Sequence, residues 1–139
     1  MKVLHMISGG DTGGAKTHVF ALLGKLKERA DVTIVCFMKG VFWDELQNIG
    51  VKCELILQKN RFDMSVVNRL REICDEGIDV IHCHGARANF IAAALRSHVD
   101  IPMITTIHSD YLLDFDGFYR KLVYTSLNVW ALKKFKYFI

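Results

Sequence analysis

Short apolar runs alternate with amphipathic helical stretches along this whole chain, and that alternation limits the folds open to it more than any other feature. Val3 to Ile7 is an apolar run that stops at glycines, as buried parallel strands do. Val19, Leu22, Leu23 and Leu26 then recur at helical spacing. Val32 to Phe37 is a β-branched strand, Phe42, Leu46 and Ile49 line a short helix stopped by Gly50, and Val51 to Leu57 is a third strand. Asp63 can cap a helix that presents Val66, Val67, Leu70, Ile73 and Cys74 on one face. Asp79 to Cys83 is a fourth strand, Ala86 to Leu95 an alanine-rich helix, and Ile101 to Ile107 a fifth strand entered through Pro102. Tyr119, Leu122, Val123, Leu127, Trp130 and Ala131 mark one face of a last helix, and Tyr137-Phe138-Ile139 reads as the start of a sixth strand. Strand–helix units of about 20 to 30 residues predict an α/β fold: a Rossmann-like parallel sheet with right-handed crossovers and helices on both faces. Ligands then bind beyond the carboxyl ends of the strands.

A chain of 139 residues fits one domain, 1–139, and with 51% hydrophobic residues and one proline it can bury a core. The net charge of +3 allows phosphate-bearing ligands or an anionic membrane surface and is too weak to argue for nucleic acid. Lys59-Asn60-Arg61 and the cations of the last helix would supply such a membrane-facing surface. Cys36, Cys53, Cys74 and Cys83 have no CxxC spacing and sit in apolar stretches, so they read as buried reduced thiols in a reducing cytosol. The apolar N-terminus is too short for a signal-peptide core, and no apolar run approaches the roughly 20 residues of a membrane span. A chain that stops on the first residues of a buried strand is expected to be the front part of a longer product.

Three strand ends carry chemistry. The loop Gly9-Gly10-Asp11-Thr12-Gly13-Gly14-Ala15-Lys16-Thr17 joins the first strand to the first helix, where backbone N–H groups can approach an anion. It is neither of two familiar phosphate loops. Asp11 stands where GxGxxG needs glycine, and Ala15 intervenes where a P-loop needs lysine directly after Gly14. His82-Cys83-His84-Gly85 ends the fourth strand, with His82 and His84 on one side and Cys83 on the other. His84 lies at the rim and is the ligand candidate, whereas His82 and His5 read as core histidines. Thr105-Thr106-Ile107-His108-Ser109-Asp110 ends the fifth strand, and the sheet should bring Gly14, His84 and His108 to a common rim. Zinc is an alternative for the histidines, Cys83 and Asp110, but no HExxH or paired cysteines support it, so no metal is assigned.

Taken together these residues resemble family 4 (group 1) retaining glycosyltransferases. The opening Lys2 to Ile7 with Gly13-Gly14-Ala15-Lys16-Thr17-His18-Val19, the strand Asp79 to Gly85, and the strand Pro102 to His108 match that family's motifs in order over essentially the whole chain. The resemblance implies the N-terminal, acceptor-side half of the two-Rossmann-domain GT-B fold, with the active site in the cleft between domains. It implies transfer of a sugar from a UDP- or GDP-linked donor to a cell-envelope glycan, lipid or small molecule, without a cofactor or metal. The donor-binding domain, usually marked by two glutamates eight apart, would be a partner; Glu28, Glu45, Glu54, Glu72 and Glu76 offer no such pair, so this fragment alone should be inactive. Carried over by position, His108 is the catalytic candidate, Gly13, Gly14 and Lys16 form the donor-phosphate or acceptor loop, and His84, Arg87, Asn89 and Asp110 are acceptor candidates. Ser109 stands where the family often has aspartate or glycine, which leaves the role of Asp110 open. A departing diphosphate needs only positioned N–H groups and cations to stabilise it. A nucleotide-sugar epimerase of the same fold and a non-catalytic flavodoxin-like module are the competing readings, and the loop 111–118 fits either an acceptor loop or a surface packed on another domain.

Overall fold

The computed structural model describes residues 1–60, 62–107, 126–135 and 137–139. Six strands form one sheet: β1 (Lys2–Ile7), β2 (Asp31–Cys36), β3 (Lys52–Leu55), β4 (Val80–His84), β5 (Met103–Thr106) and β6 (Tyr137–Phe138). Their order is β3-β2-β1-β4-β5-β6, and every pairing is parallel. The helices are α1 (Gly13–Leu26), α2 (Val41–Leu46), α3 (Val66–Asp75) and α4 (Gly85–Leu95), with a further helical segment at 126–132. This is the expected Rossmann-like arrangement. Strand order reverses between β1 and β4, and parallel pairing puts every carboxyl end on one rim.

The period-2 alternation of the strands divides the core into two layers. Leu4, Met6, Val35, Ile81, Cys83 and Met103 join α3 and α4 on one face of the sheet. Ile7, Val32, Ile34 and Cys36 join Val19 and Leu23 of α1 and Phe42 and Leu46 of α2 on the other. Two outcomes differ in detail from the sequence reading. The third strand ends at Leu55 rather than Leu57: Ile56 and Gln58 still donate to the carbonyls of Cys36 and Phe37, while Leu57 is exposed. Asp63 caps the turn that leads into α3, accepting from the backbone N–H groups of Lys59 and Ser65 and from the Ser65 hydroxyl.

All four cysteines are free thiols, and only Cys53 is less than buried. Burial pushes the Cys36 thiol up to about 12 and Cys74 to about 11, and it pushes Cys83 higher still, so none is a ready nucleophile at neutral pH. Among the described residues no helix is long and apolar enough to cross a membrane.

Candidate functional site

The carboxyl rim begins at the glycine loop between β1 and α1, where the glycines divide into two kinds. Gly9 holds a φ of 104°, and a Cβ there would run into the backbone carbonyl oxygen of Met38. Its own N–H donates to the Asp11 carboxylate at 3.0 Å. Across the gap a Cβ on Gly40 would come within 2.8 Å of the Gly9 carbonyl oxygen. This half of the loop is therefore glycine because two backbone turns, after β1 and after β2, press together. Gly13 and Gly14 have open space where a side chain would stand. Gly13 adopts a φ of 63°, in the left-handed region, which turns the chain into α1.

That second half opens a cleft of about 530 Å³ lined by Thr12, Gly14, Ala15, His18, Thr106, Ile107 and Ile139. The N-terminus of α1 faces it without a side-chain cap from Thr12 and without an acidic residue in its first turn. The first N–H groups of a helix have no partner within the helix, and with the positive end of the helix dipole they are what an anion needs. A second hollow of about 340 Å³ lies beside it, lined by Ser8, Gly10, Asp11, Met38, His84, Gly85, Ala86 and Arg87.

Behind these clefts three imidazoles stack in the sheet. Parallel register sets His5 of β1 beside His82 of β4, and Ile7 beside His84. All three rings lie on the α1 face, with relative exposures of 0%, 7% and 1% for His5, His82 and His84. His5 Nδ1 and His84 Nε2 share a hydrogen bond of 3.0 Å, and His82 Nε2 and Thr106 Oγ1 share one of 2.8 Å. Burial, reinforced by the neighbouring His82, lowers His5 to about 3, so it stays neutral. Cys83 points to the opposite face, so a mixed histidine–cysteine ligand set cannot form there.

The expected site residues therefore separate. Gly14 and His84 both reach the rim, in adjoining clefts joined by the loop from Ser8 to Gly14. Arg87 lines the smaller hollow and donates to Gln58 Oε1 at 3.3 Å. Lys16 lies two residues beyond Gly14, roughly 200° round the helix, and its ammonium pairs with Glu45 at 2.7 Å rather than facing either cleft. Asn89 is 3% exposed, and its Oδ1 accepts from Thr105 at 2.7 Å; it joins α4 to β5 inside the core instead of facing the rim. His108, Asp110 and the loop 111–118 lie outside the described residues. The sequence reading passed over Thr12, Ala15 and His18, although their i, i+3 spacing already set them on one face of α1 with the glycine loop. For Met38, only the packing of one loop on another could reveal a role.

The profile of Glycosyltransferase Family 4 matches residues 12–139 of this chain. The chain belongs to that family. No curated protein sequence matches it. Among solved structures, Anabaena Alr3699/HepE in complex with UDP superposes with a TM-score of 0.76 at 18% identity, covering 97% of this chain and 36% of that one. The same protein in complex with UDP-glucose gives 0.70 at 20% identity, covering 91% and 34%. Acinetobacter baumannii MurG gives 0.69 at 15% identity, covering 99% and 40%. These likenesses show the fold, that of the N-terminal domain of GT-B glycosyltransferases. The chain spans little more than a third of those proteins.

Proposed function

We propose that this Family 4 domain forms the acceptor-side wall of a retaining glycosyltransferase that takes its sugar from a UDP- or GDP-linked donor. The observation that carries the reading is the uncapped N-terminus of α1, open to a cleft of about 530 Å³ at Gly14. Its backbone N–H groups offer charge stabilisation to a diphosphate or to an acceptor oxygen, and no protein nucleophile is required. A donor-binding domain would close the cleft from the far side, as in a GT-B enzyme. His108 would contact the transferred sugar, with His84 and Arg87 at the acceptor end. Glycans, lipids and small molecules of the cell envelope fit as acceptors, and Lys59, Lys133 and Lys134 would support peripheral contact with an anionic membrane.

The test is sugar transfer by the full-length protein from labelled UDP- and GDP-sugars, with the anomeric configuration of the product read by NMR. A side chain at Gly14 meets open space, so Gly14→Leu should leave the fold intact while filling the cleft. Transfer should fall at least about tenfold, and His108→Ala should lower it on a similar scale. Transfer undiminished in Gly14→Leu would remove the cleft from the reaction, and epimerised rather than transferred sugar would replace the activity.

A further inference from the structure

Three buried histidines from two strands carry an inference that does not depend on the nucleotide sugar. One imidazole nitrogen from each of His5, His82 and His84 lies within 4.8 Å of the corresponding nitrogen of the other two. The pair His5 Nδ1 and His84 Nε2, at 3.0 Å, already stands near the separation of about 3.3 Å that two nitrogens keep around a tetrahedral ion with bonds of about 2.0–2.1 Å. The other His5 nitrogen, Nε2, is wholly buried without a hydrogen-bond partner among the described residues, so the ring is held on one side only, through Nδ1.

We infer that His5, His82 and His84 form a binding site for a divalent first-row transition ion, zinc foremost. Three imidazoles are borderline ligands that suit zinc, nickel or copper and not magnesium or calcium, which take oxygen. Three protein ligands leave a fourth position for water. His84 lines the 340 Å³ hollow beside Ser8 and Asp11, which supplies both that water and an entry path. Thr106 Oγ1 holds His82 Nε2 and fixes that ring from behind. His5, buried in β1, has no use at the rim unless it acts through His84, and metal ligation gives it one. The ion would fasten β1 to β4 at the point where the strand order reverses.

The test is titration of the untagged protein with Co²⁺, displaced by Zn²⁺, following the visible ligand-field bands. One ion per chain is expected. His5→Phe and His84→Asn should each weaken binding at least about tenfold, and Thr106→Val should weaken it by about tenfold or more. His18→Ala and His98→Ala, which alter exposed histidines, should leave it unchanged. Absence of stoichiometric binding, or binding that survives His5→Phe and disappears in His18→Ala, would overturn the site. Where a variant does not fold, the wild type decides alone. Imidazole ¹⁵N resonances that move with Zn²⁺ at His5, His82 and His84 support the site, and movement confined to His18 and His98 overturns it.

Discussion

Glycine and histidine side by side in this chain do different jobs, and single substitutions separate them. Gly9→Ala would force a Cβ against the Met38 carbonyl at a φ of 104°, and about 2–4 kcal/mol of stability should be lost in urea unfolding. Gly14→Ala, with nothing near the new methyl group, should instead be neutral or gain up to about 1 kcal/mol from helix propensity. Equal losses at the two positions would show that the loop as a whole, rather than the contact with Met38, demands glycine. His5 sets a pH dependence. It is held to about 3 in the folded chain, against an ordinary 6.5. Below pH 6.5 the unfolded chain takes up a proton that the folded chain refuses. Stability is thus full above that pH and falls toward pH 3, by as much as about 1.4 kcal/mol per pH unit from this group. Urea midpoints measured from pH 7 to pH 4 with a chelator present should fall in the wild type and flatten in His5→Phe; a flat wild-type profile would count against the buried neutral ring.

Secondary elements were legible because period and punctuation are local properties. A short apolar run ended by glycines marked β1, and the i, i+4, i+7 pattern of Val66, Leu70 and Ile73 marked α3. Leu57 misled because its apolar character continued the β3 pattern after the chain had begun to leave the sheet. Asn89 misled for a related reason: a polar residue in the first turns of a helix after a rim strand usually meets water, yet α4 turns this one onto β5. The α4–β5 contact predicts its own energetics. Asn89→Ala would leave the buried Thr105 hydroxyl without its acceptor at Asn89 and should cost about 1–3 kcal/mol. Asn89→Ala combined with Thr105→Val should recover much of that loss, because no polar atom is then stranded. A double variant as unstable as the sum of the two singles would mean that the pair is not coupled.

Over the whole molecule, parallel pairing places the candidate rim, with every strand's carboxyl end, at one end of the sheet. Hydrogen exchange of the full-length protein with a nucleotide sugar bound should therefore slow at Thr12 to Ala15 and at Thr106 and Ile107, and stay unchanged around Arg96 to Met103. Protection at the far end alone would place the ligand elsewhere. The residues themselves carried the strand and helix order, the expectation of a parallel sheet, and the arrival of Gly14 and His84 at strand ends, because side-chain period and glycine punctuation act over a few neighbouring residues. Tertiary structure alone decided which distant residues touch. It set β1 between β2 and β4, so that His5 meets His82 and His84, Met38 excludes a side chain at Gly9, and Lys16 pairs with Glu45. Those contacts follow from the order and register of strands in the sheet, which long-range packing selects and no local pattern encodes.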